Sequence, residues 1–108
     1  MNPEQAKKLN GRKLALNIVR ISDMLAHFMD EVLVDEIDTL LQGVAQTFSM
    51  RQFADAKLNN EDGNIFVPNK LAICGDIVRH YRNNGWSADV VENSDIVIVI
   101  NIMAEKKQ

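Results

Sequence analysis

The sequence predicts an α+β fold: an N-terminal helical hairpin or long helix, a short helix, then a β-α-β-β unit with a small antiparallel sheet. Three observations carry that prediction. From Leu14 the apolar residues step by four and three through Ile18, Ile21, Leu25, Phe28 and Val32, which is a helical stripe. Toward the other end, Ile96-Val97-Ile98-Val99-Ile100-Asn101-Ile102 is a β-branched run of high strand propensity. The chain has 108 residues and 46% hydrophobic content, enough for one core and too little for two. One domain over 1–108 is expected, with a helical half at 4–58 and a βαββ half at 64–103.

The first stripe predicts a helix over about residues 4–30, widened by Val19, Met24 and Met29. A second stripe follows at Leu33, Ile37, Leu40, Val44 and Phe48, one position out of phase with Val32. A turn near Asp30-Glu31 would make a hairpin, and a bend would keep one long helix. The β-branched Val32 and Val34 favour the break. Gly43, read as interior to the second helix, costs about 1 kcal/mol there relative to Ala and suggests close packing. Ser49-Met50-Arg51-Gln52 has the form of a capping box and opens a short helix through about Leu58, anchored by Phe53.

Asn59 to Asn64 is a dense cluster of turn formers, and Ile65-Phe66-Val67 before Pro68 reads as a short strand. Asn69 then caps a helix with the stripe Leu71, Cys74, Ile77, Val78 and Tyr81. Gly85 suits the left-handed residue after it. Trp86 to Val91 alternates as a half-buried strand, and Glu92-Asn93-Ser94-Asp95 is a polar turn before the β-branched run. That run has two apolar faces, which predicts a central strand covered on both sides or a face used by a partner. Val97 and Val99 are the expected sheet contact.

The formal net charge of −3 hides two opposed blocks. Residues 1–20 set Lys7, Lys8, Arg12, Lys13 and Arg20 against Glu4 alone, a net of +4. Residues 21–40 hold Asp23, Asp30, Glu31, Asp35, Glu36 and Asp38 with no Lys or Arg, a net of −6. Such blocks read as solvated faces that attract each other in an antiparallel helix pair, or as a bipolar surface that orients an assembly.

Chemistry is sparse. A single cysteine excludes a disulfide framework and a multi-cysteine zinc site, and fits a reducing cytoplasm. The start of the chain has no apolar stretch of signal length, and no run approaches the roughly 20 residues of a membrane span. Asp23, His27 and Glu31 share a helix face, as metal donors could, but no second histidine motif joins them, and a solvated histidine between acids is the plainer reading. Glu31, Asp35 and Asp38 share a face, as carboxylates for acid–base work or Mg²⁺ could, but with Glu36 they read as an acidic surface that mimics phosphates or binds a basic partner. Cys74 sits on an apolar stripe and reads as core, not as a nucleophile paired with His80. Placing Gly63 at the sixth position of a calcium loop puts Leu58 and Asn69 where carboxylates are required. No residue set nominates a cofactor, a small-molecule substrate or a reaction.

Arg79, His80 and Arg82 form a small basic patch on a helix that leads into a hairpin, the order of a winged helix. In that reading Ser49–Leu58 and Asn69–Asn83 are the helix pair and Glu92–Asp95 the wing tip. The acidic wing and the long Asn59–Pro68 connection count against DNA binding. Trp86 and Tyr81 read as residues closing the core.

The segment from Ile77 through Gly85-Trp86 to Val90, with the polar turn and Ile/Val strand that follow, resembles the helix–Gly-aromatic–hairpin module of small tailed-bacteriophage proteins. The resemblance covers residues 64–102, and its motif is Gly85-Trp86 between helix and strand. It implies a phage origin, with a place in the host cytoplasm or in a virion, and it transfers no catalytic residue. The expectation is a non-enzymatic interaction protein, a structural or assembly component that self-associates. Leu14, Ile18, Ile21, Leu25 and Phe28 would be its helical contact. The alternatives are a phage regulator binding a host protein through the acidic surface, and the winged-helix DNA binder.

Overall fold

Asn2 starts the fold. Its side chain accepts from the Gln5 amide at 2.8 Å, the Gln5 side chain accepts from the Asn2 amide at 3.1 Å, and Pro3 occupies the first helical position. From there the computed structural model, which describes residues 1–101, runs as seven elements: α1 (Pro3–Asp35), α2 (Ile37–Leu41), β1 (Gln46–Ser49), α3 (Met50–Lys57), α4 (Asn60–Asn83), β2 (Trp86–Val91) and β3 (Ile96–Asn101). It is an α+β fold, mostly helical, with a three-stranded antiparallel sheet in the order β1-β3-β2. The last residues of the expected C-terminal strand and tail, 102–108, lie outside the described residues.

Of the two N-terminal alternatives the long helix is found, and other expectations are corrected. The first helix does not take the favoured break at Asp30-Glu31; it continues to Asp35, and only Glu36 separates it from α2. The second stripe does not stay helical to Phe48. Gly43, at φ 88°, ends α2: its amide donates to Leu40 and that of Val44 to Thr39, a Schellman motif. Gly43 is therefore a stop and not an interior packing site. Phe48 belongs to β1, whose register sets Phe48 opposite Val97 and Gln46 opposite Val99.

The expected strand Ile65-Phe66-Val67 is helix, and so is the Asn59–Asn64 turn. Asn59 caps α4, its side chain accepting from the Asp62 amide at 2.8 Å, and the helix runs through Pro68. The small antiparallel sheet is as expected, but its third strand is β1 (Gln46–Ser49) from the N-terminal half and not Ile65–Val67. Of the expected capping box one half is made, Ser49 accepting from the Gln52 amide at 3.3 Å, and Gly85 stands as expected with φ 90°.

The core lies between the helices and one sheet face. Phe48, Ala88, Val97 and Val99 are buried there against Ile21, Leu25, Met29, Phe53, Phe66 and Ile77. The rings of Phe28, Phe53 and Phe66 join α1, α3 and α4, with successive centroids 5.5 and 5.6 Å apart. β3 is the central strand as expected, but its two faces differ: Ile96, Ile98 and Ile100 are only half-buried on the side turned away from this core. Arg82 ties α4 to β2 by donating to the Ala88 carbonyl at 2.8 Å and the Asp89 carboxylate at 2.6 Å.

Candidate functional site

One element departs from the packed body. At 1.5 Å per residue the 33-residue α1 is about 50 Å long. Its buried residues are Ile21, Leu25, Met29 and Leu33, all in the second half, whereas every residue from 1 to 16 is exposed. The molecule accordingly measures 61 × 25 × 23 Å. Its radius of gyration is 16.2 Å, against about 13 Å for a compact chain of this length.

The expected helical contact is therefore split. Ile21 and Leu25 are wholly buried in the chain's own core, and Ile18 and Phe28 pack against it. Leu14 alone of the five is exposed. The expected sheet contact is also corrected: Val97 and Val99 are wholly buried under the helices and are closed to a partner.

Sequence reasoning missed the far side of α1. Leu9, Leu16 and Val34 are 52%, 71% and 69% exposed. On a helical wheel they fall within about 20° of one another, roughly opposite the buried line. The seven-residue step from Leu9 to Leu16 was the available signal; the stronger Leu14–Val32 stripe masked it. Two open grooves lie on this face. One, of about 410 Å³, is lined by Met1, Gln5, Lys8, Leu9 and Arg12. The other, of about 480 Å³, is lined by His27, Asp30, Glu31, Val34 and Asp35.

The charge blocks survive folding at the start of α1 and at its far end with α2, and not as two paired helices. Lys7, Lys8, Arg12 and Lys13 make no ion pair among the described residues, and neither do Glu31, Asp35, Glu36 and Asp38, all exposed. Two members of the blocks are engaged. Arg20 grips Asp62 in the first turn of α4 with bonds of 2.6 and 3.3 Å, and this holds the Asp62 carboxyl below its usual value. Asp30 accepts from the buried Tyr81 hydroxyl at 2.6 Å; burial, then that bond, pushes the phenol's pKa up.

The expected basic patch is exposed but internally neutralised. Arg79 pairs with Asp76, Arg82 with Asp89, and Lys70 on the same helix with the wing residue Asp95; His80 stacks edge-on against Tyr81. The connection between α3 and α4 is only Leu58-Asn59, so the length objection to a winged-helix arrangement falls away. The groove between those helices, about 610 Å³, is lined by Asp55, Asn59, Asn60, Asn64 and neighbouring apolar residues, with no cation.

Cys74 is wholly buried, donates its S–H to the Ser94 carbonyl at 3.6 Å, and has its thiol pushed up to about 11 by burial. That is a core residue and a poor nucleophile. Asp23, His27 and Glu31 do not close on one another: among the described residues no three His, Cys, Asp or Glu side chains gather as metal donors. Nor is any described helix long and apolar enough to cross a membrane. No family model, curated protein or solved structure matches the chain.

Proposed function

We propose that this chain is a non-enzymatic protein–protein interaction module that self-associates through α1, as a structural or assembly component does. One observation carries the reading: residues 3–16 are helical while Leu9, Leu14 and Leu16 stand 52%, 41% and 71% exposed. A helical stretch of that length is marginal in water when nothing packs on it. Its apolar residues gain nothing inside the chain, and burial against another molecule would add the support that they lack. The resemblance carried by Gly85-Trp86 adds a phage setting to this reading.

The free acidic residues Glu31, Asp35, Glu36 and Asp38 support a second reading, a different protein docking there through a basic face. Phosphate contact by α4 has less support, because its arginines already hold carboxylates and the wing carries Glu92 and Asp95. Sedimentation equilibrium of the full chain tests the first reading. A concentration-dependent dimer or larger species is expected; a strict monomer throughout the micromolar range overturns it.

A further inference from the structure

We infer that the partner on the exposed face of α1 is the same face of a second copy, laid antiparallel and centred between Ile21 and Ser22. This rests on the self-association reading and specifies its geometry. The face is self-complementary in that arrangement. With the centre at that point, Leu9 of each copy lies opposite Val34 of the other, and Leu16 lies opposite His27. The two grooves thereby become one kind of contact made twice: the Leu9 groove of one copy meets the Val34 groove of the other.

The charges fix the same register. In an antiparallel pair related by a two-fold axis, residues on the same flank of the seam face each other. Arg12 and Asp30 share one flank and Lys13 and Glu31 the other, by 3.6-residue geometry. Arg12 then meets Asp30 of the second copy, and Lys13 meets Glu31, each contact occurring twice. A parallel arrangement sets the +4 block on itself and the acidic block on itself, which is repulsive. Each packed body lies on the buried side of its own α1, which leaves the opposite face to a central pair of helices overlapping over about 40 Å.

Site-directed cross-linking and charge exchange test this on the full chain. The double variant Leu9→Cys/Val34→Cys is expected to oxidise to a covalent dimer, because its thiols meet across the seam. Leu9→Cys alone is expected to stay uncrosslinked, since the two thiols lie about 38 Å apart in that register. Lys13→Glu and Glu31→Lys are each expected to weaken association about ten-fold at low salt, and their combination to restore it. Efficient cross-linking of Leu9→Cys alone, or a dimer indifferent to both charge reversals, overturns the antiparallel register while leaving self-association standing. A strict monomer for the unmodified chain defeats both. Far-ultraviolet circular dichroism on each variant separates lost association from lost folding.

Discussion

At the scale of single residues, the pairing of Arg20 with Asp62 decides how the base of the free helix is held. Asp62 is buried, and both its oxygens accept from one guanidinium. The hydrogen bond from Arg20 lowers its carboxyl below the ordinary 3.8, so the paired state favours the charged form. A lowered carboxylate stabilises the fold fully above the unfolded value and loses that contribution as pH falls through the folded value. Arg20→Met is therefore expected to lower the melting temperature at about pH 7 and to cost progressively less toward about pH 2. Thermal melts across that range check it, and an effect independent of pH would contradict the assignment. Nothing in the sequence pairs residues 42 positions apart, so this contact was not legible. By contrast, Cys74 is legible as core, because it sits on the apolar stripe of its own helix.

At the scale of elements, α4 shows where local signals mislead. Pro68 lacks an amide and crowds the carbonyl four residues back, so it reads as a boundary. Yet the helix passes through it. Pro68 itself faces solvent, where water can serve the freed carbonyl, and the Asn69 side chain donates to the Ile65 carbonyl at 2.8 Å. Burial of Phe66 before the proline and of Ile73, Cys74 and Ile77 after it holds both sides on one core. Pro68→Ala is expected to stabilise the protein by about 1–3 kcal/mol, measured by urea unfolding, because it restores the missing donor without disturbing the packing. The same override explains β1. Val44 and Phe48 continued a helical spacing, but Gly43 takes a left-handed turn and Phe48 gains more by facing Val97 in a sheet.

At the scale of the whole molecule, the chain divides into a packed body and a helical arm. Deleting residues 1–15 removes only exposed positions. The shortened chain is expected to keep the melting temperature of the full chain at dilution and to lose self-association in sedimentation. A large loss of stability in the monomer would show that the arm supports the body. The charge distribution has its meaning at this scale also. A basic arm and an acidic base on one continuous helix cannot meet within a chain, since the rigid rod keeps them apart. They can meet between chains.

The sequence by itself determined the α+β class, the helical start, the β2–β3 hairpin and the Ser49 cap, because each rests on local periodicity or local capping. It also determined the two charge blocks, which need only counting. Tertiary structure alone decided which apolar faces were spent internally. Ile21, Leu25, Val97 and Val99 disappear into the core, while Leu9, Leu16 and Val34 remain outside. Periodicity marks an apolar face without stating what covers it. The covering depends on where distant elements land, and on a core of this size being filled before α1 reaches its N-terminal half.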